Sequence, residues 1–427
     1  MVGQSIVLRA RAGMFGDRNF RLIWSAATVS AFGYYVTDIA IPLLAIEQLD
    51  VNSFEIGLIR VVQQLPNLLF GLFLGVLVDR TRKRPLMVWS DIVRAIVLLA
   101  IPLAAFRDML NLPIVLAVVF VVGAFNLLFD VSEGSFIPVV IPRDRLVEGN
   151  SKIEASYSTA QTAGPAIGGA LVTILTAPYA IAVTAIALLG SASFLSRMTT
   201  HEERPHIDHD RSVRQDIGEG LRFVRRQPIL RPILLTMVGQ SFFGFVFMAV
   251  YVLYMKRNLE ISDFQVGLVF AAGGVGSLLG TLSTPALNRR YGIGPVMVAG
   301  NMFFGVTGLL IPLAVLIPQY AFPLVIVCEF LQYLGLLPFF LNAISLIQLV
   351  SPDEMRGRIM STRKFLTWGV QPFGSLLGGI LGGLITLPWT LAAGEIGLLA
   401  VGIWLCLQPI RSMRAVPVEG GQGWMQT

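Results

Sequence analysis

Twelve apolar runs, each about 20 to 28 residues long, dominate this chain, near 20–46, 54–78, 86–106, 111–137, 152–174, 176–197, 231–255, 264–287, 294–316, 320–348, 357–385 and 389–409. In a helix rising about 1.5 Å per residue, a run of that length crosses a hydrocarbon core of roughly 30 Å. Backbone polar groups inside lipid must be satisfied within the segment or around a closed barrel. Barrel strands read as alternating segments of about ten residues, which these runs are not. With 55% hydrophobic and 14% charged residues in 427, the chain also carries more apolar surface than a soluble domain of that size buries. The expected fold class is an all-α membrane protein with twelve transmembrane helices.

Charge sets the expected orientation. Alternate loops assign Arg9, Arg11, Arg18, Arg21, the 80–84 cluster, Arg143, Arg145, the 197–231 segment, Arg289, Arg290, Arg356, Arg358, Arg411 and Arg414 to one face, and little beyond Arg107, Lys256 and Arg257 to the other. Positive residues stay on the cytoplasmic side, so both termini and the central loop are expected in the cytoplasm, with the chain multi-pass in the plasma (inner) membrane. The net charge of +6 is spread along one membrane face and does not point to nucleic acid. The first run is preceded by "RARAGMFGDRNFR", basic but without the short apolar region and small-residue cleavage site of a signal peptide, so no cleavable leader is expected.

Sliding the sequence by 210 residues lays "FEIGL" at 54–58 on "FQVGL" at 264–268, Pro85 on Pro295, Pro142 on Pro352, and Gly168 and Gly169 on Gly378 and Gly379. One constant offset over this distance argues for two six-helix bundles related as a parallel repeat. The expected organisation is an N-terminal bundle over 1–197, a cytoplasmic linker over 198–230 and a C-terminal bundle with its tail over 231–427. Within the linker, "SVRQDIGEGLRFVRRQP" reads as a short amphipathic helix on the membrane surface. The histidines His201, His206 and His209 all fall there among acids and read as part of a solvated linker, with no metal site expected. Cys328 and Cys406 lie inside predicted helices, which indicates neither a disulfide framework nor a metal cluster.

Between the second and third runs stands G-x-x-x-D-R-x-x-[KR]-R, made here by Gly75, Asp79, Arg80, Lys83 and Arg84. This pattern resembles the signature loop of the major facilitator superfamily. Within it, "NFRLIW" at 19–24, "PRDRLVEGNSKIEAS" at 142–156, "AGPAIGG" at 163–169 and "GRIMSTRKFLTWGVQPFGSLLGG" at 357–379 are similar to the drug-exporter group that includes macrolide efflux proteins and the enterobactin exporter. The resemblance implies the major facilitator fold and a loop that locks the two bundles on the cytoplasmic side and releases them during transport. Elementary electrostatics is compatible with that role. Asp79 ends a helix, where the macrodipole disfavours a negative charge, and Arg80, Lys83, Arg84 and the start of the eleventh helix compensate it. Gly75, one turn back, allows close approach of a neighbour. The alternative is a loop whose charges serve topology alone. At the repeat offset Asp79 falls on Arg289 and Arg80 on Arg290, so any latch is asymmetric.

In the fifth run Gly164, Pro165, Gly168 and Gly169 combine a proline bend with glycines for tight packing. The resembling superfamily motif is associated with exporters and antiporters. A generic kinked packing face is the other reading, and Pro372, Gly374, Gly378 and Gly379 in the eleventh run read mainly as packing.

Charges inside the bilayer cost on the order of 3 kcal/mol each at mid-depth on insertion scales and tend to be paired or functional. Asp38, Arg60, Glu329 and Glu395 fall toward one side, and Asp91, Arg94, Asp130 and Glu133 toward the other. Asp91 and Arg94, three residues apart, read as a mutually neutralising pair. Asp38, Asp130, Glu133 and Glu329 are the candidates for coupling to protons or another cation, against the alternative of buried pairs that fix helix register. The fourth run lacks the arginine that many proton-coupled exporters of the superfamily carry there, so their usual relay does not transfer. A substrate path between the halves would draw on Gln240, Phe243, Phe247 and Tyr251 of the seventh run and Gln332, Tyr333 and Asn342 of the tenth, an aromatic wall with a few amides suited to bulky amphipathic compounds, while for any single ring the competing and favoured reading is a lipid-facing or packing contact.

No nucleophile with a base, no Gly-rich phosphate loop and no ligand cluster occurs, so the chain does not read as an enzyme and no cofactor is expected, and the lack of a pattern such as GxxxxGK[ST] argues against direct nucleotide drive. The function expected is secondary active export of a hydrophobic or amphipathic small molecule by alternating access, with protons as the exchanged ion, the lipid bilayer as surroundings and a monomer as the working unit. Its rivals are a dedicated exporter of one metabolite such as a siderophore, and a receptor or lipid-handling scaffold that has the fold without coupled transport.

Overall fold

The computed structural model describes residues 14–142, 145–200, 202 and 213–414, and the side chains of Leu72, Val76, Asp79, Val147, Asp353, Glu354 and residues 213–217 and 220 fall outside that description. Fourteen α-helices and no strand occur among the described residues. Six precede the linker: α1 (Arg18–Gln48), α2 (Ser53–Asp79), α3 (Lys83–Phe106), α4 (Leu112–Val140), α5 (Leu146–Leu175) and α6 (Ala177–Ser196). The linker carries α7 (Val213–Arg226), and His201, His206 and His209 lie outside the described residues. There follow α8 (Leu230–Arg257), α9 (Asp263–Tyr291), α10 (Ile293–Gly308), α11 (Ala321–Val350), α12 (Asp353–Gly369), α13 (Gln371–Leu384) and α14 (Leu387–Cys406).

Twelve spans result, because α12 and α13 together make the eleventh. Among the described residues, nine segments meet a strict length and hydropathy requirement for crossing a membrane. Of the other three, α5 is diluted by the polar stretch "EGNSKIEASYSTAQT", and the eleventh span is broken into pieces of 17 and 14 residues. The break departs from the single run expected over 357–385. Pro372 has no N–H to give and its ring crowds the carbonyl of Trp368, one turn back. Val370 nevertheless keeps helical angles (φ −86°, ψ −15°), so the span bends there. The ninth span also ends its α-helix early, at Gly308, and continues as 3-10 turns over Pro312–Leu316 and Pro318–Tyr320, each opened by a proline.

The repeat is visible as local geometry. Asp50 and Glu260, equivalent at the 210-residue offset, both take left-handed backbone angles (φ 47° and 52°). Val51 N–H donates to Ala45 O at 3.4 Å, and its counterpart Ile261 N–H donates to Met255 O at 3.0 Å. Next comes a reciprocal helix cap in each copy. Glu55 N–H donates to Asn52 Oδ1 at 3.0 Å while Asn52 N–H donates to Glu55 Oε2 at 2.8 Å. In the second copy Gln265 N–H donates to Ser262 Oγ at 3.4 Å and Ser262 N–H to Gln265 Oε1 at 3.1 Å. The "FEIGL" and "FQVGL" match is thus part of two like-built helix entries.

The fold divides into two compact units, one within Met1–Leu44 and Leu69–Asp208, the other within Ala45–Leu68 and His209–Thr427. In the first, α3 packs on α4 and α6, and α5 on α6, around Phe20, Ile23, Met87, Phe129, Phe136 and Leu195. In the second, α11 packs on α9 and α10, α8 packs on α13 and α14, and α7 lies on α12. Its core includes Ile233, Met237, Met297, Phe339, Leu346 and Ile359, with Val224 of α7 buried in the same cluster. The remaining face of α7 exposes Arg222, Arg225 and Arg226, as an amphipathic helix should. Close helix approach is clearest between α9 and α11. A Cβ at Gly276 would lie 2.2 Å from Phe330 O, so only glycine fits there.

Candidate functional site

In the first unit the polar interior is built around α3, α4 and α5. Arg94 on α3 is 2% exposed and Asp91, one turn earlier, is fully buried. The two form an ion pair, as their spacing suggests. The guanidinium also donates to Asn126 Oδ1 on α4, to Ser30 Oγ on α1 at 3.1 Å and to Ser90 O at 3.4 Å, and lies 4.7 Å over the Phe129 ring. With so many partners, this arginine neutralises Asp91 and ties three spans together.

One turn further along α4, Glu133 is 4% exposed. Tyr157 of α5 donates its hydroxyl to Glu133 Oε2, and the other carboxyl oxygen, Oε1, is buried with no hydrogen-bond partner. Asp130, also on α4, is exposed, and Asp38 on α1 is half-buried. Asp38, Asp130 and Glu154 lie within electrostatic range of the Tyr35 hydroxyl, and Glu133, Asp130 and Arg94 within range of the Tyr157 hydroxyl. Four acids and two tyrosines from three spans therefore share one region with Arg94 of α3. Tyr157 and Glu154 were not singled out from the sequence. Their signal was the unusually polar run "SKIEASYSTAQT" in a segment that must cross lipid.

Gly164 and Gly168 place α5 against α1. A Cβ at Gly164 would lie 2.6 Å from Tyr35 Cβ, and one at Gly168 would lie 3.2 Å from Val36 Cα. Pro165 and Gly169 lie within α5, each next in sequence to one of these glycines. The motif thus packs the helix that carries Tyr157 onto the helix that carries Tyr35 and Asp38.

The loop residues take structural partners within the first unit. Lys83 N–H and Arg84 N–H donate to the two carboxyl oxygens of Glu202 at 2.6 and 2.8 Å, capping the positive end of α3. Arg84 Nε donates to Leu195 O at 2.9 Å and its Nη2 to Ser196 O, covering carbonyls at the end of α6. Arg80 is exposed, and a Cβ at Gly75 would meet no atom within 4 Å. Asp79 closes α2, and its side chain lies outside the description. Glu202 was read from sequence only as part of an acidic linker, because a contact over more than a hundred residues leaves no local mark.

The second unit holds a separate polar set. Tyr251 of α8 is fully buried and donates its hydroxyl to Glu329 Oε2 of α11 at 2.9 Å. Gln332, one turn along α11, donates through Nε2 to Glu395 Oε1 of α14 at 2.9 Å. Asn342 and Asn288 of α9 exchange two amide hydrogen bonds of 2.7 and 3.0 Å. Gln240 is buried with neither end of its amide partnered. Phe243 and Phe247 lie on glycines of α14, since a Cβ at Gly397 would meet the Phe243 ring and one at Gly394 would lie 3.1 Å from Phe247 Cβ. Tyr333 leans on Gly273 of α9 and meets the Phe304 ring edge-on at 6.4 Å. The structure joins Tyr251 to Glu329 and brings Gln332 to Glu395. Asn342 stands apart with Asn288. Among the described residues no group of three His, Cys, Asp or Glu side chains is arranged to hold a metal ion.

Comparison with known proteins agrees with this architecture. A family model described as transmembrane secretion effector matches residues 12–426. The multidrug efflux pump Tap of Mycolicibacterium fortuitum is 27% identical over 90% of this chain and 93% of its own. Macrolide efflux protein A of Streptococcus pyogenes is 22% identical over 88% of this chain and 93% of its own. Among solved structures, an inward-facing bacterial homologue of the iron transporter ferroportin superposes with a TM-score of 0.73 at 16% identity, covering 91% of this chain and 98% of that one. The nucleoside transporter NupG superposes with a TM-score of 0.70 at 12% identity, over 91% and 99%. Both structural likenesses concern the fold. The chain belongs to the transmembrane secretion effector family of the major facilitator superfamily and is a multi-pass membrane transporter, not an enzyme.

Proposed function

We propose that this protein exports a hydrophobic or amphipathic small molecule of the drug or macrolide class across the plasma membrane, in exchange for protons and by alternating access of its two six-helix bundles. Efflux relatives aligned along about nine-tenths of the chain support the export of such compounds. The observation that carries the proton exchange is Glu133, a carboxyl buried inside a span with one oxygen bonded by Tyr157 and the other unpartnered. A carboxylate left in this state lacks the donors that normally stabilise it, whereas a group that gains and loses a proton during the cycle uses the vacant oxygen. Asp130, in range of both Tyr35 and Tyr157, and Asp38, in range of Tyr35, hand the proton to and from water, and Glu329 serves the same role in the second unit.

In this reading the termini are cytoplasmic and a monomer suffices. Asp79, with Gly75 and Arg80, latches the cytoplasmic ends of the bundles, while Lys83 and Arg84 hold α3 and α6 in place beneath it. Gln240, Phe243, Phe247, Tyr251, Gln332, Tyr333 and Asn342 border the substrate path, and the bend at Pro165 biases the cycle toward export. The test is uptake of a panel of macrolides and cationic dyes into inverted vesicles, with and without an imposed pH gradient, for the parent and Glu133→Gln. Gradient-driven uptake of several compounds in the parent, abolished in the variant, is expected. Equal rates with and without the gradient overturn proton exchange, and uptake of a single compound overturns the broad substrate class.

A further inference from the structure

The second unit contains a buried carboxyl for which the proposed cycle has no task. Glu395 lies eight residues from the start of α14, about 12 Å along the helix, and is 1% exposed. Its Oε1 accepts from Gln332 Nε2 at 2.9 Å, and its Oε2 is buried with no hydrogen-bond partner. That oxygen sits on the backbone of Gly308, where a Cβ would come within 2.1 Å of it. Gln332 Nε2 is fixed in turn by Phe304 O at 3.5 Å.

Among the described residues, no cation acts on Glu395 to compensate its charge. From α11 it faces Gln332 and feels Glu329 and Cys328. From α8, Tyr251 reaches Glu329, and the next titratable group, Tyr254, donates its hydroxyl to Ile311 O and Pro312 O. Lys256, at the end of α8, is engaged by Glu47 and Asp263. The facing parts of α10, α13 and the Pro312–Leu316 turn carry no ionisable side chain. Glu329 likewise lies eight residues from the start of its helix, α11, and is 2% exposed. Two glutamates in electrostatic range, both out of water and without a cation, repel each other if both are ionised. The donors also differ. Glu329 has a hydroxyl donor, Tyr251, while Glu395 has one amide donor and a vacant oxygen.

We propose that Glu395 is a further proton-binding carboxyl of the transporter, with the proton on Oε2, and that Gln332 is its positioning residue, holding Oε1 so that the vacant oxygen faces Gly308. This rests on the proton-exchange reading only for its role in transport; the bound proton is a separate matter. Glu395 thus lies in the first half of α14, the second unit's last span.

Infrared spectroscopy of the purified protein in lipid reads the carbonyl stretch of un-ionised carboxyl groups directly. At neutral pH the parent should show such a band that Glu395→Gln removes and Glu329→Gln leaves in place. Persistence of every un-ionised carboxyl band in Glu395→Gln overturns the proposal. If that variant does not fold, Gln332→Leu keeps both acids and removes only the amide donor; the band should then move to higher frequency, and an unmoved band overturns the proposal equally. The vesicle assay separates the two readings. Gradient-independent uptake in the parent defeats proton exchange while a Glu395-dependent band still upholds the site. Gradient-driven uptake with no Glu395-dependent band defeats the site alone.

Discussion

Arg94→Met tests the physical reading of the first unit most severely. The substitution keeps roughly the volume of the side chain but removes a cation that is 2% exposed, leaving Asp91 fully buried with its charge uncompensated. Breaking a buried pair by deleting one partner costs about 3–5 kcal/mol, chiefly because the remaining charge stays out of water. Adding Asp91→Asn removes that charge too. What is then missing is the arginine's bonds to Asn126 and Ser30, at about 1 kcal/mol net each, so the double variant should lie about 2 kcal/mol below the parent. Asp91→Asn alone should cost less than Arg94→Met, because Arg94 keeps Asn126, Ser30 and the Phe129 ring. The assay is unfolding in mixed micelles titrated with sodium dodecyl sulfate, followed by tryptophan fluorescence for all four proteins of the cycle. A double variant as unstable as the sum of the singles would refute the claim that the pair is a neutralising structural unit. So would an Arg94→Met protein of parental stability.

Three further outcomes follow from the fold. Asn52→Ala and Ser262→Ala should each destabilise by about 1 kcal/mol in the same assay, the usual value of a helix N-cap, and by similar amounts because the two helix entries are built alike. A large effect at one site and none at the other would contradict the structural repeat. Gly276→Ala should cost about 1–3 kcal/mol as an overpacked contact, since its Cβ would sit 2.2 Å from Phe330 O, and Gly75→Ala should be nearly neutral, since its Cβ meets nothing within 4 Å. Arg145, hydrogen-bonded to Glu148 in the first turn of α5, holds that exposed carboxyl below the ordinary glutamate range. A lowered carboxyl contributes stability above the ordinary glutamate value of about 4.3 and loses it as pH falls through the lowered value. Glu148→Gln should therefore flatten the acid side of the stability profile, and an unchanged profile would contradict the contact.

The sequence made the spans legible because lipid imposes length and hydrophobicity on each of them independently. It placed Asp91 beside Arg94 because their partnership is local to one helix turn. It did not show the bend at Val370, although Pro372 stood in the run, because a proline inside a membrane helix can also be absorbed without a break, as Pro42 and Pro138 are. The pairing of Tyr157 with Glu133, Tyr251 with Glu329 and Gln332 with Glu395 was beyond reach for a different reason. Helices in a bilayer bundle are apolar nearly all round, so periodicity does not say which face meets which neighbour. Two side chains on different spans become partners only when rotation and depth are both fixed by packing. Phe243 and Phe247 illustrate the same limit: their spacing suggested an aromatic wall, and the glycines of α14 that receive them are some 150 residues away.

The central claim is that carboxyls buried in the spans carry protons against the exported compound, and the most direct measurement is simultaneous flux. Purified protein in sealed proteoliposomes containing a pH-sensitive dye should, on addition of a transported macrolide, move protons opposite to the macrolide, and Glu133→Gln should move neither coupled flux. Macrolide crossing the membrane at the parental rate with no proton counterflow would contradict the account.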